Sequence, residues 1–285
     1  MSGMGAYIEL TKPRLSLLVW VTTLGGYFMA PSGTSPISLV AMLIGTVMVV
    51  GGANALNQVN EGDVDRLMRR TCGRPLPSGR LQDREAAVFG TLLAVGGVAL
   101  LALAVNTLAA ALGSAGFLLY VFVYTPLKSR SSLCTLVGAV PGAIPPLIGW
   151  TAATGTLDPT AWVLFGILFL WQMPHFLAIA RLYREDYRRG GMVMTGIEDD
   201  GGPPAYRQMV IYTAALLPMS LGLGQTGVVG ALYFVGAALL GIGFLAVSIN
   251  ALRRDDHSAD RVVFLYSLAY LPLLLGLMLV DKGLS

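Results

Sequence analysis

Between positions 57 and 80 the chain reads NQVNEGDVDRLMRRTCGRPLPSGR, and Asn57, Glu61 and Asp65 recur there at four-residue intervals. On a helix each interval drifts by only about 40°, so the three side chains form one polar stripe and Asp63 points to the other side. Two carboxylates and an amide on one face suit Mg²⁺, which takes one or two protein carboxylates and completes its octahedron with water and phosphate oxygens. Arg66, Arg69, Arg70 and Arg74 follow closely, and Pro75 and Pro77 are expected to end the helix. Guanidinium forks beside a metal site are what a diphosphate requires. Anchoring to a membrane surface is the competing explanation for the arginines, but it explains the carboxylates poorly, because acidic residues contribute little to topology.

A second cluster lies in WQMPHFLAIARLYREDYRRGGMVMT, Trp171 to Thr195, where Glu185 and Asp186 sit among Arg181, Arg184, Arg188 and Arg189. His175 precedes it by about two turns, and an ionisable group at membrane depth is as readily functional as it is a hydrogen-bonded core residue. Lys128 and Arg130, in YTPLKSR, add cations able to reach the same anion or simply to anchor the chain. His257, in RRDDHSAD, is expected on the solvated surface, and no P-loop, G-x-G-x-x-G or H-E-x-x-H is present.

The elements that position these groups are membrane helices. The 285 residues are 55% hydrophobic and 12% charged, against roughly 25% charged in a soluble domain, and the mean hydropathy is +0.68. A lipid bilayer is therefore the solvent. The net charge of +3 is topological, which leaves nucleic acid no role as a partner. Cys72 and Cys134 form neither a CxxC pair nor a disulfide pattern.

Apolar stretches at about 15–31, 36–56, 87–105, 107–124, 134–153, 160–180, 206–223, 228–250 and 262–280 predict nine spans in an all-α polytopic fold, a single domain over 1–285. The first lacks a signal-peptidase site and reads as a span rather than a leader. With nine spans, 18 of the 19 Lys and Arg, all except Lys282, fall on one face. That asymmetry predicts an N-terminus in the cytoplasm, a C-terminus outside, and the chemical residues on the cytoplasmic face of the cell's inner membrane. The two charged loops are four spans apart, a hint of two related halves. Gly138, Pro141, Gly142, Pro145 and Pro146 make the fifth span irregular, either as a kink or as the wall of a polar cavity.

These motifs give the chain a resemblance covering almost its whole length. LTKPRL, the NxxxExxxD and MRRTCGRPLPSG stretches, YTPLK, GAVPGAIPPLIGW, WQMPHFLAIA and YREDYRRGGMVM resemble the UbiA superfamily of intramembrane prenyltransferases, and within it the branch that prenylates haem. The superfamily's N-x-x-x-D-x-x-x-D motif is met by Asn57, Glu61 and Asp65, with Glu keeping a carboxylate in place of the first Asp. Its second motif begins with an Asp that aligns on His175, and Glu185 and Asp186 remain of the later acids.

The resemblance implies an enzyme that joins farnesyl diphosphate to a vinyl group of haem B with Mg²⁺ as cofactor, and an association with haem A synthase. It implies metal on Asn57, Glu61, Asp65, Glu185 and Asp186, diphosphate on Arg66, Arg70, Arg74, Lys128, Arg130 and Arg184, and catalysis by His175, Asp65 and Asp186. Two other readings stand beside it. One is a prenyltransferase with another aromatic or lipid acceptor; the other is a transporter built on broken helices, which has no need of a carboxylate stripe with arginines at one face.

Overall fold

The computed structural model describes residues 3–31, 35–197 and 203–284, and for Pro203 the backbone alone. Its helices are α1 (Met4–Leu10), α2 (Pro13–Met29), α3 (Pro36–Asn60), α4 (Gly62–Leu67), α5 (Asp83–Ala104), α6 (Thr107–Leu118), α7 (Thr125–Leu127), α8 (Cys134–Thr154), α9 (Pro159–Leu182), α10 (Arg184–Arg189), α11 (Pro203–Gly222), α12 (Ala231–Arg254) and α13 (His257–Leu284). A six-residue π-helical stretch, Leu119–Tyr124, joins α6 to α7.

Among the described residues, eight helical stretches are long and apolar enough to cross a bilayer, and the protein is an integral membrane protein. The expected first span is the 17-residue α2, about 25 Å long and at the short end for a crossing. Short connections are capped as their sequences suggest. Asn106 Oδ1 accepts from Ala109 N at 2.8 Å to start α6, and its amide donates to Thr151 O at 2.8 Å, pinning α6 to α8. Asp158 starts α9 by accepting from Thr160 N and also accepts from Trp150 Nε1 at 3.1 Å.

α8 is the central helix: 78% of its apolar window is buried, against 22% for α6–α7. Its glycines let neighbours approach to backbone contact. A Cβ on Gly149 would lie 1.9 Å from Thr23 O, and one on Gly26 would lie 2.1 Å from Pro146 O, so α2 and α8 cross with their main chains touching. Pro141, Pro145 and Pro146 lie within α8, and two of them line a cavity, so α8 is a wall as well as a prolyl helix.

Two expectations are corrected here. α4 ends at Leu67, where Met68 turns to extended backbone at φ −97° and ψ 129°, so Pro75 and Pro77 lie well beyond the helix end. The helix carrying Asn57 and Asp65 is also interrupted at Glu61, which caps α3 at φ −105° and ψ 7°. The four-residue rise nonetheless persists through the break, because Glu61 N donates to Asn57 O and Asp65 N to Glu61 O. Each charged loop carries a six-residue helix, α4 and α10, at corresponding places in the two suspected halves.

Candidate active site

Asn57, Glu61 and Asp65 are all buried, with relative exposures of 1%, 7% and 0%. Each meets a cation from a different part of the chain. Lys12 Nζ donates to Asn57 Oδ1 at 3.4 Å, Lys128 Nζ lies 2.8 Å from Glu61 Oε1, and Arg74 Nη1 lies 2.7 Å from Asp65 Oδ2. Asn57 Nδ2 also donates to Thr125 Oγ1 at 3.1 Å, whose hydroxyl donates to Tyr120 O at 2.8 Å across the widened π turn.

Burial and the nearby Arg74 and Lys128 lower the Lys12 pKa to about 7. For Lys128, burial again pulls the pKa down but is outweighed by Tyr124 and Glu61, and the net shift is upward. In the sequence Lys12 stands only as one of the basic residues collected on a single face. Its place in LTKPRL was the available signal, and its left-handed backbone, φ +51°, turns it from α1 into the cluster.

A divalent ion fits this donor set. Asp65 Oδ1 is buried without a hydrogen-bond partner, an acceptor whose desolvation a cation would offset. Among the described residues no three His, Cys, Asp or Glu side chains form a metal-binding group, so the set is two carboxylates and an amide, as Mg²⁺ tolerates.

The second loop meets the first. Asp186 accepts from the backbone amides of Arg69 and Arg70, at 3.4 and 3.2 Å, and so ties α10 to the first loop. Glu185 has a side chain 71% exposed and lies 3.7 Å from Arg188, away from the stripe. Arg70 donates to Tyr187 Oη at 2.9 Å, with its guanidinium 4.8 and 5.1 Å from the Tyr183 and Tyr187 ring centroids. In this structure it clasps the first loop to the second.

Arg66 pairs with exposed Asp63 at 2.6 Å, Arg130 is exposed, and Arg184 lines a separate recess. Local spacing could not distinguish these three from Arg74 and Lys128, because their surroundings come from distant chain segments. His257 is exposed, as expected.

Behind the cluster lies a mostly apolar cavity of about 300 Å³. Asn54, Tyr120, Tyr124 and His175 line it toward the charged end, and Lys128 Nζ sits 4.6 Å from the Tyr124 ring centroid, so cavity and cluster adjoin. Thr46, Gly113, Ile148 and Leu168 line its depth, Thr46 lying about 16 Å along α3 from Asn57.

His175 is held on its wall. Its ring stacks on Trp171 and Phe264, each 5.2 Å between centroids, and Nδ1 is 2.8 Å from Ser267 Oγ. Ser267 spends its proton on Phe264 O at 2.6 Å, so its oxygen accepts from Nδ1–H, which leaves Nε2 of the neutral imidazole with a free lone pair. Nothing in the local sequence announced Ser267, 92 residues away.

The chain matches the UbiA prenyltransferase family over residues 19–271. It is 45% identical over 286 residues to a protoheme IX farnesyltransferase of Solibacter usitatus (strain Ellin6076), covering 97% of this chain and 98% of that one. It is 45% identical over 276 residues to a protoheme IX farnesyltransferase of Myxococcus xanthus (strain DK1622), covering 96% and 94%. Among solved structures it resembles a digeranylgeranylglyceryl phosphate synthase, with a TM-score of 0.84 at 17% identity covering 99% of both chains. It also resembles a UbiA homolog from Archaeoglobus fulgidus bound to DMAPP and Mg²⁺, with a TM-score of 0.73 at 15% identity covering 98% and 99%. A buried carboxylate pair ringed by cations, an apolar cavity behind it, this shared architecture and a match across most of the length agree: the chain belongs to the UbiA prenyltransferase family.

Proposed function

We propose that the chain transfers the farnesyl group of farnesyl diphosphate to a vinyl group of haem B, with addition of water, giving haem O and diphosphate. The observation that carries the donor half is the junction at Tyr124 of a buried acid–cation cluster with a long apolar cavity. The acceptor half rests on the 45% identity to protoheme IX farnesyltransferases over nearly full length.

Mg²⁺ held by Asn57, Glu61 and Asp65 would supply positive charge for the departing diphosphate as the allylic C–O bond breaks. Lys12, Arg74 and Lys128, which meet Asn57, Asp65 and Glu61 in this structure, would turn toward the diphosphate oxygens. The apolar walls hold the prenyl chain and keep water from the allylic cation. The vinyl group attacks that cation, and water then captures the haem-side cation and loses a proton. His175 serves the acceptor side, with Nε2 able to take that proton. Asp186 supports the site by holding the two loops together. The whole chain acts as one unit in the cell membrane, with the cluster facing the cytoplasm, the side that retains its basic loops. Association with haem A synthase belongs to the same proposal.

Incubation of detergent-purified protein with haem B, farnesyl diphosphate and Mg²⁺ is expected to give haem O by chromatography with mass detection, and none with a chelator. Diphosphate release that requires a different acceptor would replace haem while keeping the enzyme class; no release with any acceptor would remove the prenyltransferase reading. Cavity depth is expected to set chain length. Thr46→Leu fills the deep end, and kcat/KM for farnesyl relative to geranyl diphosphate should fall by about 10-fold or more. An unchanged ratio would mean that the prenyl chain lies elsewhere.

A further inference from the structure

A second recess, of about 510 Å³, opens at the charged end between the α9–α10 junction and the start of α13. It shares no lining residue with the apolar cavity. Arg69, Arg181, Arg184 and Arg189 line it together with His257.

Arg181 is the anomaly. Its side chain is only 7% exposed, with Nε 2.7 Å from Asp260 and Nη2 2.8 Å from Asp255 and 2.7 Å from Tyr206 Oη. Its Nη1 is buried without an acceptor. A buried charged donor left unmatched is costly, and an incoming oxygen would satisfy it.

The acids around the recess are already engaged. Asp260 is on Arg181, Asp186 is on two backbone amides with Arg189 at 3.7 Å, and Glu185, its side chain 71% exposed, lies 3.7 Å from Arg188. The guanidinium groups of Arg69 and Arg184 have no side-chain partner among the described residues. Three positive donors therefore converge on a recess whose negative charge is spoken for.

We infer that this recess binds the carboxylates of the acceptor, which on the proposed function are the two propionates of haem B. The diphosphate has its own cations at Lys12, Arg74 and Lys128. Leu182, on the recess, lies seven residues beyond His175 on α9, about 10 Å along the axis and within about 20° of the same face. A flat macrocycle laid along that face presents a vinyl edge to the cavity mouth at His175 and its acid edge to the water-facing arginines. Carboxylates would be expelled from the apolar cavity.

The test is an absorbance titration of haem B, and of its dimethyl ester, into the full-length detergent-purified protein and the double variant R69A/R184A. Haem B binding is expected to weaken on the order of 10- to 100-fold in the variant. The ester should bind both proteins equally, as weakly as haem B binds the variant, and binding of farnesyl diphosphate should not change. Equal haem B binding by both proteins, an equal loss for the ester, or lost farnesyl diphosphate binding would each overturn the assignment. Wild-type protein that binds neither porphyrin, yet releases diphosphate with another aromatic acceptor, would remove the haem reading itself and this inference with it.

Discussion

Asp65→Asn is expected to lower Mg²⁺-dependent diphosphate release by about 10³-fold while the protein remains folded. The carboxylate is wholly buried, with Oδ2 on Arg74 and Oδ1 without a partner. An amide of the same shape removes the negative charge that both a divalent ion and Arg74 require. Arg74 keeps its side chain 25% exposed, so the charge left behind is partly hydrated, and the loss of stability should stay below the roughly 3–5 kcal/mol seen when a fully buried pair is broken. Turnover and melting temperature should therefore separate. Arg74→Gln combined with Asp65→Asn should cost less than the sum of the single changes, because the two side chains are in contact. Turnover within a few-fold of wild type for Asp65→Asn would exclude a metal-binding role for this residue.

The second large effect is on folding, far from the chemistry. Gly149→Ala places a methyl 1.9 Å from Thr23 O and 2.7 Å from Tyr27 N, both backbone atoms of a packed helix. Neither can rotate aside, so α2 must move off α8, and a loss at or beyond the usual 1–3 kcal/mol of overpacking is expected. Gly142→Ala is the control. There the added methyl meets Gln172 Oε1 at 2.0 Å, the far end of a side chain that can swing, although its amide would give up bonds to Ala139 O and Leu168 O. Thermal unfolding in detergent should show a much larger fall for Gly149→Ala than for Gly142→Ala. Similar melting for Gly149→Ala and wild type would mean that the two helices do not cross this closely.

The recess and the active cluster illustrate how like residues acquire unlike roles. Arg66, Arg70, Arg74 and Arg184 are equivalent by type and by nearness to acids. In the fold, Arg74 meets a buried carboxylate, Arg66 an exposed one, Arg70 two tyrosines of the other loop, and Arg184 opens onto the recess. Guanidinium chemistry is common to all four, and burial and partner decide what each does with it.

Amino-acid order settles the membrane-spanning helices, because twenty or so apolar residues have no other low-energy state in a bilayer whose core offers the backbone no hydrogen bonds. It also determined the collection of basic residues between alternate spans and the Asn57–Glu61–Asp65 spacing, which depends only on helical rise and survives the break at Glu61. Those are local or one-dimensional properties of the chain. Packing between distant segments is what brings Lys12 and Lys128, 116 positions apart, onto that stripe, Asp186 onto backbone amides 116 and 117 residues away, and Ser267 onto the ring of His175. Each depends on how helices distant in sequence pack against α8 and its neighbours, and no periodicity within one helix encodes which face of another it will meet.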